Sequence, residues 1–308
     1  MKKLIIGSRR SQLAQAQSKQ VRQLLQQAWP ELDVEIELID TQGDLNRRDP
    51  LPKIGGKGLF TAELEQALRQ GRIDLAVHSL KDLPVEESRG LTVLAVPERA
   101  PTQDLLLSHR AARLEDLPLG AVVGTSSLRR AAQVLALRPD LQIKDIRGNV
   151  DTRLRKLDDP AQGYDAIVLA QAGLLRLNRA DLVYAHPIPH SVMLPAPGQG
   201  ALGVQGRADD PETKRYVQPL EHRPSRAAIT AERAFLAGLG GGCSVPVAAL
   251  GTVTKTELTL EALVANATGR QVVRAVGSAP LDEAERLGRR LAAEALARGA
   301  WELLNGSS

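Results

Sequence analysis

Short apolar runs and helical patterns alternate over the first two-thirds of the chain, and this alternation constrains the fold more than any other feature. The strictly alternating run Val34–Ile39 predicts a half-buried strand, and Asp74–His78 predicts another. Between them, Phe60–Arg69 has apolar residues at helical spacing and stops before Gly71. Such alternation is typical of parallel sheets covered by helices, so the sequence predicts an α/β fold.

Two proline-rich segments, at 97–101 and 193–200, interrupt this pattern and predict hinge crossings between two lobes. Beyond about His222 the pattern changes to one helix, three strand-like runs and a long terminal helix at Leu281–Leu304, which predicts a small α+β domain. The predicted domains are lobe 1 (1–97 plus 199–217), lobe 2 (102–194) and an α+β domain (222–308). Ligands of open α/β sheets lie beyond the carboxyl ends of strands, which predicts a cleft site between the lobes.

A single cysteine, Cys243, follows three glycines and precedes Pro246. Glycines permit unusual backbone angles and leave the sulfur uncovered, which favours a thiol presented to a cavity. The alternative is a packed small hydrophobe, the commoner fate of a free cysteine. The loop alone leaves both readings open.

Composition narrows the class of function. Aromatic residues make up 2% of the chain, too few for the stacking platforms of single-stranded nucleic-acid binders, although the net charge is +4. The sequence has no apolar run of membrane-spanning length, and its basic start lacks the apolar core of a signal peptide. We therefore expect a cytoplasmic protein with neither a nucleic-acid nor a membrane partner.

Arginines cluster where predicted strands end and helices begin. Arg129 and Arg130 fall in the first turn of a predicted helix, where the helix dipole disfavours cations, and Asp145–Arg153 repeats the arrangement after the next strand. A polyanionic ligand accounts for this pattern. Helix capping by the hydroxyls of residues 125–127 and solvated surface arginines are the alternatives.

Three further motifs have weaker chemical signals. The glycine-rich loop Lys53–Phe60 lacks the ending of a P-loop and reads as a lid or a second carboxylate contact. Asp82 follows a predicted strand, beside Lys81, and is either a cleft carboxylate or a surface-turn residue. Nothing local joins Cys243, His78 and Asp82 into a triad, and prolines exclude a helical metal site at His186 and His190, so no metal is predicted.

Taken together, the motifs resemble hydroxymethylbilane synthases, also called porphobilinogen deaminases. Eight motifs occur in the family's order, and any one of them alone would be weak. They are Ile6–Ser11, Thr41–Asp44, Gly55–Phe60, Ala76–Pro84, Gly124–Arg130, Arg147–Val150, Leu194–Gly200 and Gly241–Pro246.

The resemblance implies a transferase of tetrapyrrole biosynthesis that joins four porphobilinogen molecules into linear hydroxymethylbilane and releases ammonia. It implies a monomer with two periplasmic-binding-protein-like (type II) lobes and a third domain. It also implies a dipyrromethane cofactor, built from two porphobilinogen units and held by a thioether to Cys243.

The same resemblance assigns the site residues of this chain. Asp82 is the catalytic aspartate, and the cofactor contacts besides Cys243 are Lys81, Thr125, Ser127, Arg129, Arg130, Arg147 and Gly148. The substrate contacts are Arg9, Ser11, Arg147, Arg153, Arg176 and Gln199. The lid residues are Lys53, Gly55, Gly56, Lys57 and Phe60.

The chain departs from the family pattern at Gln12 and at Asp151, whose charge we expect to weaken the positive potential between Arg147 and Arg153. The main alternative function is a hinge-closing binding protein for an anionic small molecule, since two α/β lobes with two crossings also describe such receptors. That alternative predicts no covalent adduct on Cys243.

Overall fold

The computed structural model describes residues 3–41, 61–179, 181–241 and 245–305. The strands in these ranges are β1 (Lys3–Arg9), β2 (Asp33–Ile39), β3 (Leu75–Ser79), β4 (Leu91–Ala95), β5 (Asp104–Leu107), β6 (Val122–Gly124), β7 (Gln142–Lys144), β8 (Ala166–Ala170), β9 (Ala185–Pro187), β10 (Leu202–Arg207), β11 (Val247–Thr254), β12 (Glu257–Ala265) and β13 (Val272–Pro280). The α-helices are α1 (Gln12–Ala28), α2 (Ala62–Arg69), α3 (Leu128–Leu137), α4 (Val150–Asp158), α5 (Gln171–Arg176), α6 (Pro211–Val217), α7 (Arg223–Gly238), α8 (Ala284–Ala297) and α9 (Ala300–Asn305). None of these helices combines the length and apolar character needed to cross a membrane.

Residues 1–100 and 201–226 form one compact unit around a five-stranded sheet. The strand order is β2-β1-β3-β10-β4, in which β1 is parallel to β2 and β3, and β10 is antiparallel to β3 and β4. Ser11 caps α1, and the buried Ala14, Val21 and Leu25 recur at helical spacing on one face of it. This apolar face explains why α1 packs on the sheet.

Residues 101–200 and 227–308 form the second unit, whose five-stranded sheet has the order β7-β6-β8-β5-β9. Here β6 is parallel to β7 and β8, while β5 is antiparallel to β8 and β9. The two sheets therefore share one layout, and each antiparallel strand is the first strand after a proline-rich crossing segment. The α/β class predicted from the alternation is confirmed.

The second unit also contains the antiparallel sheet β11-β12-β13. Side chains of successive strand residues point to opposite faces, so Ala249 packs with Phe235 and Leu291, whereas Leu250 packs with Ala132 of α3. One face of this sheet is thus covered, whereas the other is covered near Leu250 but exposed at Arg274 and Val276 of β13. The predicted three-stranded sheet with helices is confirmed, while its boundary as a separate domain at 222–308 stays a prediction.

The predicted terminal helix at Leu281–Leu304 is wrong in one respect, because the structure divides it into α8 and α9. Gly299 lies between them with φ +89°, a left-handed conformation that ends an α-helix. The leucine pattern continues across this break, which is why periodicity alone missed it. Strand β9 and helix α6 were not predicted either, since their three and seven residues carry too little pattern.

Candidate active site

The turn that carries Asp82 begins where β3 leaves the sheet of the first unit. The backbone N–H of Asp82 donates to the Ser79 carbonyl at 2.9 Å, and that of Leu80 donates to the Ala201 carbonyl at 3.1 Å. The side chains of Leu80 and Leu83 are buried, whereas that of Asp82 is exposed. Buried neighbours thus anchor a turn that presents a carboxylate to solvent.

The other predicted residues of this unit lie at the same edge of the sheet. Strands β1 and β3 are parallel neighbours, so Arg9 at the end of β1 and Lys81 after β3 follow the same carboxyl edge. Both side chains are half-buried. The Ser11 hydroxyl oxygen accepts the backbone N–H of Ala14 at 3.3 Å, and therefore serves as the cap of α1.

His78, on β3, belongs to the buried interior of the sheet. Its Nε2 lies 3.0 Å from Oε1 of Gln205, whose amide nitrogen donates to Glu65 at 3.4 Å. Burial lowers the pKa of His78 to about 4, so the imidazole is neutral at physiological pH. These contacts make His78 a structural residue of the sheet.

In the second unit, Arg129 and Arg130 of α3 share one carboxylate, that of Asp104 at the start of β5. Arg129 donates to Oδ2 of Asp104 at 2.8 Å, and Arg130 donates to Oδ1 at 2.8 and 3.2 Å. The remaining bonds go to backbone carbonyls, from Arg129 to Leu194 at 2.7 Å and from Arg130 to Val168 at 2.9 Å. All three charged side chains are buried, so the alternative of solvated surface arginines is wrong for this pair.

The electrostatics of this buried trio favour the ionised aspartate. Burial alone would raise the pKa of Asp104, but the charges and hydrogen bonds of Arg129 and Arg130 outweigh it and hold that pKa below its usual range. None of the sequence motifs assigned a role to Asp104. A signal was available, because an aspartate that opens the wholly apolar run of β5 needs a buried cation.

Gln199 and Arg176 also engage the backbone of this unit. The amide nitrogen of Gln199 donates to the Thr102 carbonyl at 2.7 Å and to Asp104 at 3.0 Å. Arg176, at the end of α5, donates to the Gly200 carbonyl at 2.7 Å, and burial lowers its pKa to about 10. These bonds join the segment 198–200 to the strand and helix beside it.

The hydroxyls before α3 cap that helix. The Ser127 oxygen accepts the backbone N–H of Arg130 at 3.5 Å, and the buried Thr125 oxygen accepts that of Ser127 at 3.2 Å. The capping function considered for this motif is therefore present. Because both hydroxyl oxygens act as acceptors in these bonds, the hydroxyl protons of Thr125 and Ser127 can still be donated to a ligand.

The loop between β7 and α4 has an unusually well-supported backbone. Four successive carbonyls, those of residues 145–148, accept hydrogen bonds from the side chains of Tyr164, Ser126, Lys156 and Arg153, at 2.7, 2.7, 3.2 and 2.9 Å. Gly148 has φ +114°, and an added Cβ would lie 2.6 Å from the Thr152 side chain. The loop shape thus depends on a glycine at this position.

The Nε of Arg147 donates to the Asp145 carboxylate at 2.7 Å, with both side chains about half exposed. Burial and the nearby Arg130 charge lower the pKa of Arg153, and Asp145 offsets part of this effect. The charge of Arg130, a member of the buried trio, therefore acts on Arg153, which donates to the loop backbone. Positive charge exceeds negative charge by two in this group, which has four arginines and two aspartates. They are Arg129, Arg130, Arg147, Arg153, Asp104 and Asp145.

Cys243 and the lid residues Lys53, Gly55, Gly56, Lys57 and Phe60 lie outside the described residues. These residues are nevertheless included in the sequence ranges that match known protein families. Residues 4–215 match the family model "Porphobilinogen deaminase, dipyromethane cofactor binding domain", and residues 227–297 match "Porphobilinogen deaminase, C-terminal domain". The chain belongs to the porphobilinogen deaminase family.

Curated relatives named porphobilinogen deaminase agree with this membership over their full length. The relative from Desulforudis audaxviator is 50% identical over 303 residues, which cover 98% of this chain and 97% of that protein. The relative from Roseiflexus sp. (strain RS-1) is 51% identical, with 98% and 99% covered, and that from Chromobacterium violaceum is 48% identical, with 99% and 97% covered. The family resemblance inferred from the eight motifs is confirmed.

Solved structures with a similar fold include the methionine-binding protein MetQ and the aliphatic sulphonate binding protein SsuA from Escherichia coli. MetQ has a TM-score of 0.41 at 14% identity and covers 71% of this chain and 89% of its own. SsuA also has a TM-score of 0.41 at 14% identity, with 77% and 70% covered. Similarity at this level has no weight in assigning function.

The residues of the second unit fit the cofactor that porphobilinogen deaminases bind. A dipyrromethane made from two porphobilinogen units bears two acetates and two propionates, and guanidinium groups are good donors to carboxylates. Besides the excess of positive charge, the buried Nε atoms of Arg129 and Arg176 have no hydrogen-bond partner among the described residues. The donor set therefore suits a polycarboxylate.

The described residues do not bring three or more metal-binding side chains together. His186 lies on β9, and the ring of His190 contacts the Thr102 hydroxyl at 3.0 Å.

Proposed function

We propose that this chain joins four porphobilinogen molecules head to tail into linear hydroxymethylbilane, with release of one ammonia at each addition. The observation that carries the proposal is the match of residues 4–215 and 227–297 to the two family models. The arginine excess of the second unit supports it, because each added unit brings an acetate and a propionate. A hinge-closing binding protein is not favoured by these findings.

In this proposal Asp82 provides the acid–base chemistry. Loss of ammonia from porphobilinogen leaves an electron-poor pyrrole, whose nitrogen acquires positive charge. The exposed Asp82 carboxylate stabilises that charge at the pyrrole N–H and accepts the α-proton that is lost when the new bond forms. The anchored turn holds the carboxylate in place for successive additions.

The arginines orient the carboxylates of cofactor and substrate. We assign Arg129, Arg130, Arg147, Gly148, Thr125, Ser127 and Lys81 to the cofactor and Arg9, Ser11, Arg147, Arg153, Arg176 and Gln199 to the substrate. When bound, dipyrromethane supplies the terminal pyrrole to which the first unit is joined. The thioether at Cys243, the monomeric state, the cytoplasmic location and a lid at 53–60 belong to the same proposal.

Intact-protein mass spectrometry with a peptide map around Cys243 tests the proposed function. We expect an added mass of two deaminated porphobilinogen units on Cys243, either in the purified protein or after incubation with porphobilinogen or hydroxymethylbilane. A Cys243→Ala variant controls for non-covalent retention and should carry no adduct. A thiol that stays unmodified after both incubations would contradict the proposal and favour the binding-protein alternative.

A further inference from the structure

Asp145 is a carboxylate with no assigned role inside the loop that presents Arg147. Its Oδ2 accepts the Nε of Arg147 at 2.7 Å. Burial would raise the pKa of Asp145, but a hydrogen bond from Ser126 and the charges of Arg147 and Arg153 outweigh it and lower that pKa. Both arginines are assigned above to ligand carboxylates. Asp145 therefore occupies the kind of position that a ligand carboxylate would take.

The surroundings make this contact exchangeable. The side chains of Arg147 and Asp145 are 41% and 54% exposed, and exposed ion pairs contribute little to stability. The loop backbone does not depend on the pair, because the carbonyls of residues 145–148 are held by four other side chains. Rotation of the Asp145 side chain is thus sufficient to break this ion pair.

The contrast with Asp104 supports this view. Asp104 is fully buried and receives hydrogen bonds from Arg129, Arg130 and Gln199, so its release would leave buried charges unpaired. Asp145 faces solvent, and water can solvate it after release. Of these two carboxylates, Asp145 is the one that an incoming ligand can replace.

We propose that Asp145 is an internal competitor that occupies Arg147 in the absence of ligand and yields it to a carboxylate of the bound pyrrole. Asp145 thereby weakens carboxylate binding and tunes the affinity of the site. The identity of the incoming carboxylate rests on the proposed function, whereas the exchange itself does not.

Calorimetric titration with succinate, a dicarboxylate that cannot polymerise, tests the exchange in the full chain. Asp145→Asn keeps the side-chain shape and removes the competing charge, so we expect succinate to bind roughly three- to tenfold more tightly. Asp151→Asn is the matched control, since Asp151 lies on neighbouring α4 but pairs with Arg179 at 3.3 Å. Because the Arg179 guanidinium offsets the Asp151 charge, the weakening of the positive potential expected from the sequence should be small, and the affinity of this variant for succinate should stay within about twofold of the parent. Equal changes in both variants, or no tightening in Asp145→Asn, including undetectable binding, would overturn the proposal.

A double-mutant cycle with Arg147→Gln separates competition from a general field effect. We expect the tightening by Asp145→Asn to disappear when Arg147 is absent. If the tightening persists in the Arg147→Gln background, Asp145 acts through the electrostatic potential of the whole site, and the competitor role is wrong. Unfolding midpoints of all variants confirm that each protein is folded.

Porphobilinogen kinetics distinguish this inference from the proposed function. If the parent consumes porphobilinogen, we expect Asp145→Asn to lower KM with little change in kcat. A parent that turns over porphobilinogen, with no tightening in the variant, refutes the exchange and leaves the function standing. A parent without turnover, together with tightening that requires Arg147, refutes the function and leaves the exchange standing.

Discussion

The two five-stranded sheets have the same strand order but bury different polar groups beside their antiparallel strands. In the first unit, the buried group is the neutral imidazole of His78, which pairs with Gln205 of β10. In the second unit, it is the ionised Asp104 of β5, which pairs with two arginines. One topology therefore accommodates a neutral network in one place and an ionic network in the other.

The difference between these buried groups corresponds to the candidate site residues that each unit contains. The first unit presents the exposed carboxylate of Asp82 on a turn held by backbone bonds and buried leucines, and this needs no buried counter-charge. The second unit holds several guanidinium groups, and burying two of them requires a fixed anion. The comparison predicts that Asp82 can be changed without loss of stability, whereas Asp104 cannot.

Substitution of Asp82 should have the largest effect on activity. We expect Asp82→Asn to reduce kcat by about 10²–10⁴-fold, the usual contribution of a general acid–base group. The free energy of unfolding should change by less than about 0.5 kcal/mol, because the side chain is exposed. Steady-state kinetics and urea denaturation measure the two effects, with the exposed Glu87→Gln as control. Near-normal turnover of Asp82→Asn would remove Asp82 from the mechanism.

Substitution of Asp104 should have the largest effect on stability. Asp104→Asn leaves Arg129 and Arg130 buried without their anion, and we expect a loss of about 3–5 kcal/mol. Asp145→Asn removes the same charge from an exposed pair and should cost less than about 1 kcal/mol. Urea denaturation of both variants measures the difference. Similar losses in the two variants would show that burial does not distinguish these carboxylates.

The buried imidazole predicts a pH dependence specific to the first unit. The pKa of His78 is about 4 in the folded protein, below the unfolded value near 6.5, so the unfolded chain binds more protons between these values. Stability should therefore fall by up to ~3 kcal/mol as the pH drops from 6.5 to 4. His78→Gln should flatten that part of the curve. An unchanged curve in the variant would mean that another group titrates there.

The last and smallest expected loss of stability concerns the loop at 145–148. This loop requires a residue with positive φ at Gly148, whereas the Asp82 turn contains no such residue. Gly148→Ala should lose roughly 1–3 kcal/mol from backbone strain and from overlap with Thr152. Gly163→Ala is the control, since Gly163 has φ +64° but only one distant neighbour, the Lys144 amine at 3.8 Å. A greater loss for Gly148→Ala would reflect the overlap with Thr152 together with the less favourable φ of +114°, and equal losses would show that neither adds to the cost of an ordinary left-handed conformation.

Local pattern was sufficient for much of the fold and for part of the candidate site. The alternating strands, the crossings and the position of Asp82 after β3 follow from hydrophobic periodicity and turn residues. The partner of Arg129 did not follow, since Asp104 lies 25 residues away in the sequence and on another element. The break at Gly299 was also missed, because a glycine within a continuing leucine pattern does not by itself reveal its backbone angle.

The sequence by itself determined the α/β class, the family and the candidate residues, because period, turn chemistry and ordered motifs are local properties of the chain. Only the tertiary structure decided which arginines are neutralised within the protein and which carboxylate is exchangeable. That decision depends on burial, since the same aspartate–arginine contact is permanent where water is excluded and replaceable where water can solvate both partners.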